Sequence, residues 1–320
     1  MLRKELVIGL VYIACLLERL RWTRSRRVEQ SGYCPLALCR RTTRFAIAQI
    51  CFDGYKRRIS PEESTEGAVG KHNRPQKKPM FGDIKNDRGE RLDYSFHAAR
   101  NNSKDIVVLG HGVTGNKDRP FLVALAEGLS QAGIAVLRFS FSGNGASEGS
   151  FVDSHITKEV ADLGCVLDAL KEHRICYAGH SMGGAVGVVR ASQDDRIRFL
   201  VSLSGMVHTK AFAEREFGNV KPGEGSMWDE PSCPLSQAYM DDMSKIGTTV
   251  TLAPKIRVPW LLVHGTEDDV VPIQDSYDIF AQANQPKQLV EIKGASHVFG
   301  GDFTPILVEK VRNWIQGQFA

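Results

Sequence analysis

The sequence predicts an α/β fold: a mostly parallel central sheet, helices on both faces and a small inserted cap. Three observations carry this. From Met80 onward, short apolar runs rich in β-branched residues alternate with segments of helical period. Residues able to do chemistry follow those runs directly, where the carboxyl ends of parallel strands gather ligands. One stretch, residues 208–257, breaks the alternation with Pro222, Pro231, Pro234, Trp228 and several methionines, and reads as a cap over that face.

Taken in order, "RLDYSFHAA" reads as a strand of an early hairpin, and "DIVVLGHG" as a strand buried on both faces. "PFLVALAEGLSQAG" is helical and stops at Gly133. "IAVLRFSF" is the next strand, "HITKEVADLGCVLDALKEH" a helix, and "RICYAG" a strand running into a glycine-rich turn. "MGGAVGVVRASQ" continues as a helix whose small residues permit close packing on the sheet. "IRFLVSLSG", "VPWLLVHG" and "QLVEIKG" are three further strands, and "TPILVEKVRNWIQGQ" is a closing amphipathic helix. Strand and helix repeated at this spacing require parallel pairing with crossover helices.

The α/β domain spans residues 80–320, and residues 1–79 read as a basic arm and linker outside its core. The arm holds 17 of the 41 Lys and Arg and 7 of the 37 Asp and Glu, a balance of +10 against −6 for the rest. A charge argument for nucleic acid or membrane therefore applies to the arm alone, and no nucleic-acid partner is expected. "LVIGLVYIACLL", residues 6–17, has twelve apolar residues, short of the roughly 20 that span a bilayer. Basic residues flank it. The expectation is a cytoplasmic protein, with weak membrane association through residues 6–17 as the alternative. Seven cysteines form no regular framework, Cys34 and Cys39 lack nearby histidines for zinc, and Cys176 reads as a buried thiol.

Within "YAGHSMGG", Ser181 occupies the centre of a G-x-S-x-G pattern between a predicted strand and a predicted helix. Five residues alone also fit a helix-capping serine, so a base and an acid must be found elsewhere. "VHGTEDDVVP" follows the penultimate strand and offers Asp268, with its neighbour Asp269 as the alternative; Asp269 reads more simply as a solvent-facing carboxylate. "IKGASHVF" follows the last strand and offers His297. Asp268 lies 87 residues after Ser181, and His297 29 residues after Asp268. A serine hydroxyl is a weak nucleophile until an imidazole can take its proton, and a carboxylate fixes that imidazole's tautomer.

Together these segments resemble the α/β-hydrolase fold over residues 80–320. The resemblance implies a catalytic triad of Ser181, Asp268 and His297 in that family's chain order. It also implies an oxyanion hole built from the backbone N–H groups of Met182 and Val113. His111 and His264 are expected to pack and hydrogen-bond beneath the site, His180 to point away from the nucleophile, and His208 to open the cap as a candidate substrate contact. The segment from His111 to Phe151 resembles bacterial carboxylesterases of the cinnamoyl and feruloyl type, and the serine-aminopeptidase-like hydrolases related to them. Ser140 and Asn144 stand where that family often carries Asp and His.

Serine at the elbow argues against the aspartate chemistry of dehalogenases and epoxide hydrolases. No GxGxxG follows the first strand, and no HExxH is present, so neither a dinucleotide nor a metal cofactor is expected. The implied activity is hydrolysis of a small-molecule carboxylic ester through an acyl-enzyme. An aminopeptidase-like amidase, a thioesterase and an acyltransferase share that mechanism, and a non-catalytic receptor on the same fold is the alternative of a different class. An aminopeptidase would show acidic groups for the substrate amine; Glu214, Glu216, Glu224, Asp229 and Glu230 are candidates, although a solvated acidic face explains them as well.

Overall fold

The computed structural model describes residues 80–99 and 103–319. The arm, with its apolar run at 6–17 and its linker, lies outside the described residues. Seven strands form one sheet: β1 Tyr94–His97, β2 Asp105–Gly110, β3 Ala135–Phe139, β4 Arg174–His180, β5 Ile197–Leu203, β6 Trp260–Gly265 and β7 Lys287–Ile292. Their order is β1-β3-β2-β4-β5-β6-β7, with β1 antiparallel to β3 and every other pair parallel. β1 is therefore an edge strand of the main sheet and not half of a hairpin with β2. The reason is burial: β1 is half-exposed throughout, whereas β2 is apolar on both faces and belongs in the centre.

Successive residues of the central strands serve opposite layers, as the pleat demands. Val107 and Leu109 face a core completed by helix α1 (Pro120–Gln131) and the last helix, α7 (Phe303–Phe319). Ile106 and Val108 face the other core, completed by α2 (Ile156–Ala169), α3 (Met182–Ala191) and α6 (Ile273–Gln282). Among the described residues, no helix is long and apolar enough to cross a membrane.

The insertion between β5 and β6 holds α4 (Thr209–Phe217), α5 (Gln237–Ile246) and two short 3₁₀ segments. Its Phe212, Phe217 and Tyr239, with Trp228 against them, extend the core on the α2, α3 and α6 side of the sheet. Asp275 of α6 ties its root by accepting from the backbone N–H groups of Val207 (2.8 Å) and His208 (3.1 Å). Asp242 of α5 ties its far side by accepting from the N–H of Thr157 at 3.0 Å, at the start of α2.

The chain runs from β2 outward to β3, and from β4 outward to β5 on the opposite side. The carboxyl ends of β2 and β4 consequently flank a topological switch point, where open parallel sheets leave a crevice.

Candidate active site

Ser181 is the single residue between β4 and α3, with φ 54° and ψ −119°. A non-glycine residue in that left-handed region carries strain that the surroundings must hold. Close packing of glycine holds it here. A Cβ on Gly179 would lie 2.1 Å from the carbonyl oxygen of Gly183, and one on Gly183 would lie 2.4 Å from that of His111. The turn is then pinned by hydrogen bonds from Ser181 N–H to the Leu203 carbonyl (3.0 Å) and from Met206 N–H to the Ser181 carbonyl (2.9 Å). The residue is 2% exposed.

Register brings the next part of the site. Gly110 pairs with Gly179, so the loop after β2 starts beside the serine. A Cβ on Gly112 would sit 2.7 Å from the Ser181 Cβ. Met182 N–H opens α3 and, like Val113 N–H in the loop, has no acceptor among the described residues. His111 supports the loop from below: Nδ1 donates to the Gly112 carbonyl (2.8 Å) and Nε2 accepts from Phe141 N–H (3.0 Å). That pattern needs a neutral ring, and burial pushes the His111 pKa down to about 4.

Asp268 and His297 meet at the ends of β6 and β7. Asp268 Oδ2 lies 2.9 Å from His297 Nδ1 and 3.2 Å from His264 Nε2. Its other oxygen accepts from the backbone N–H groups of Val270 (3.0 Å) and Val271 (2.9 Å). The Asp268 side chain is wholly buried, whereas Asp269 is exposed. Burial works against the Asp268 charge, but hydrogen bonds from His264, His297 and Val271 outweigh it and hold the carboxyl well below its ordinary range. His264 is held by two further contacts, Nε2 donating to the Val271 carbonyl (3.0 Å) and Nδ1 lying 2.7 Å from Ser276 Oγ.

The structure thus brings Asp268 to His297, starts α3 with Met182 directly after Ser181, and packs Gly112, the neighbour of Val113, against Ser181. It shows no hydrogen bond between Ser181 Oγ and His297. What joins the two halves is His180, whose Nε2 donates to the His297 carbonyl at 2.9 Å and whose ring lies 4.6 Å from the His297 ring. Reading the sequence leaves out this role, since His180 has no motif of its own and its partner lies 117 residues away. His208 Nε2 lies 2.9 Å from Asp278 Oδ2 on α6. Ser140 and Asn144 hold loops, Ser140 Oγ accepting from Lys117 N–H (3.1 Å) and Asn144 Nδ2 donating to Ser154 Oγ (3.1 Å).

Residues 105–232 match a family model described as the alpha/beta hydrolase fold. The chain has the α/β-hydrolase fold. It is 26% identical to the uncharacterized protein YfhR of Salmonella typhi over 227 residues, 67% of this chain and 72% of that one. Uncharacterized Rv2307c of Mycobacterium tuberculosis is 27% identical over 187 residues, 56% of this chain and 59% of that one. Among solved structures, Est1E from Butyrivibrio proteoclasticus with bound ferulic acid superposes with a TM-score of 0.67 at 26% identity, over 74% of this chain and 98% of that one. A monoacylglycerol lipase from Paleococcus ferrophilus shares the fold with a TM-score of 0.57 at 22% identity, over 70% of this chain and 97% of that one.

Proposed function

We propose that this α/β hydrolase is a serine esterase that cleaves carboxylic esters through an acyl-enzyme. The observation that carries the reading is the Asp268–His297 pair, 2.9 Å apart, at the same end of the sheet as the strained Ser181 turn. Ser181 Oγ attacks the ester carbonyl as its proton passes to His297 Nε2, and the oxyanion is held by Val113 and Met182 N–H. The imidazolium, steadied by Asp268, returns that proton to the leaving alcohol. Water then enters, gives its proton to His297 and releases the acid and free Ser181 Oγ–H. The feruloyl-type likeness of the fold supports an ester substrate.

Observations on the insertion weigh against the aminopeptidase-like reading. Glu216 accepts from Trp228 Nε1 (3.1 Å) and Arg215 (2.9 Å), and Glu214 pairs with Lys210 (3.8 Å). Glu224 pairs with Lys221, and Glu230 accepts from Ser232 Oγ (2.8 Å). These carboxylates serve local partners and do not converge on an amine.

Hydrolysis of short-chain nitrophenyl esters by the full-length chain, beside Ser181→Ala, tests the proposal. Turnover that disappears in the variant is the expected result. Folded wild-type protein without turnover sinks it and favours a non-catalytic receptor.

A further inference from the structure

Arg119 ends the loop that follows β2 and stands at the start of α1. Of the five N–H donors of its guanidinium, one is used: Nη2 donates to the Thr114 carbonyl at 3.1 Å. No carboxylate among the described residues comes within ion-pair distance of it. Nearby acids are already taken, Asp118 by Lys117 (2.8 Å) and Arg138 (2.8 Å), and Asp93 by Lys117 (3.3 Å). Yet Arg119 is half-buried. A guanidinium drawn partly out of water keeps its charge and ordinarily gains an anion in exchange.

Its location gives that missing anion a meaning. Thr114 follows Gly112, which packs against the Ser181 turn closely enough that a Cβ there would lie 2.7 Å from the Ser181 Cβ, so the hydrogen bond to Thr114 fixes the guanidinium to the loop beside the serine. After burial, and for His180 after His297 as well, the Arg119 charge lowers the pKa of both His111 and His180, the rings on either side of the Ser181 turn. The same charge acts on the thiol of Cys233 in the insertion. The guanidinium therefore stands within electrostatic reach of the nucleophile turn and of the cap together. Glu214, Glu216, Glu224 and Glu230 of the insertion are engaged by local partners, so none of them compensates this guanidinium.

We propose that Arg119 is the specificity-determining residue of this site, and that it binds esters carrying a carboxylate, such as half-esters of dicarboxylic acids. The proposal rests on the esterase reading above. The test compares 4-nitrophenyl valerate with the 4-nitrophenyl half-ester of glutaric acid, and phenyl butyrate with its 4-carboxyphenyl analogue, using full-length protein and subtracting uncatalysed hydrolysis. The two pairs place the carboxylate on the acyl side or on the alcohol side. Wild type is expected to favour the anionic member of one pair in kcat/KM by about tenfold to a hundredfold, the range of a charged hydrogen bond. Arg119→Gln should bring that ratio close to unity. An unchanged ratio in Arg119→Gln, or equal slowing of both members, overturns the proposal, because a purely structural role moves both esters together.

A second readout needs no variant. Glutarate should compete with 4-nitrophenyl valerate on the wild type, less so as salt rises, while the neutral diamide should not. Equal inhibition by both, or by neither, overturns the proposal. Turnover without anion preference defeats Arg119's role alone, whereas no turnover of any ester defeats the esterase reading and the proposal with it.

Discussion

His180 donates a hydrogen bond from Nε2 to the carbonyl oxygen of His297 at 2.9 Å, with the two rings 4.6 Å apart. The residue before Ser181 thereby holds the loop that carries His297. Burial, His297's charge and Arg119's charge drive the His180 pKa well below its ordinary value, so it works as a neutral ring. Phe121 packs edge-on against it at 4.7 Å.

His180→Ala should therefore loosen the base without touching substrate. The expected result is a fall in kcat of about tenfold to a hundredfold with little change in KM, since a misplaced catalytic group costs that much. Stability should drop by about 1–3 kcal/mol, because the His297 carbonyl loses its buried donor. Steady-state kinetics and chemical denaturation read both.

Ser181 holds its turn with backbone strain at φ 54°. Ser181→Gly should abolish ester hydrolysis and raise folding stability by about 1 kcal/mol, the scale of relief when glycine takes a left-handed position. Gly183→Ala should do the opposite to the fold. Its new Cβ would lie 2.4 Å from the His111 carbonyl oxygen, and such overpacking costs about 1–3 kcal/mol. Urea denaturation midpoints order the three proteins.

The two neighbouring aspartates separate cleanly by substitution. Asp268→Asn should lower kcat by about 10⁴, since the amide cannot hold the His297 tautomer. Asp269→Asn should stay within about twofold of wild type, because that side chain is exposed. Equal effects at both positions contradict the assignment.

Acid should weaken the fold before it protonates the carboxylates. His111 is held neutral in the folded chain, with its pKa pushed down by burial to about 4, against about 6.5 when unfolded. Between those values the unfolded chain binds the extra proton, so its stabilising share is complete above about pH 6.5 and is lost as pH falls toward 4. His180 adds to the loss in the same direction. Asp268, whose folded pKa is depressed, adds its own loss below about pH 4. Melting temperature should decline from pH 6.5 to 4, and His111→Gln should flatten part of that decline. A flat profile in the wild type contradicts the neutral-ring account.

The sheet is legible because its central strands are continuous apolar runs ending in glycine, as in "DIVVLGHG" and "VPWLLVHG". The spacing of Ser181, Asp268 and His297 is legible for the same reason, since each follows a strand. What escapes the sequence is contact between distant loops. His180 on His297 and His264 on Asp268 depend on how the ends of β4, β6 and β7 converge, which no local pattern encodes. The insertion is legible only as an interruption, because its short helices are organised by Phe217 and Tyr239 packing around it and by Trp228 in a left-handed conformation at φ 49°. Among the described residues the early hairpin survives only as the antiparallel bridge Lys85↔Arg91, while the half-polar pattern of β1 leaves its pairing with β3 unread.

The most direct test of the central claim is to treat the full-length chain with a fluorophosphonate and locate the adduct by peptide mass spectrometry. The account predicts one stoichiometric adduct on Ser181, lost in Ser181→Ala and slowed in Asp268→Asn. Labelling of another residue, or an unlabelled Ser181 in folded protein, would contradict it.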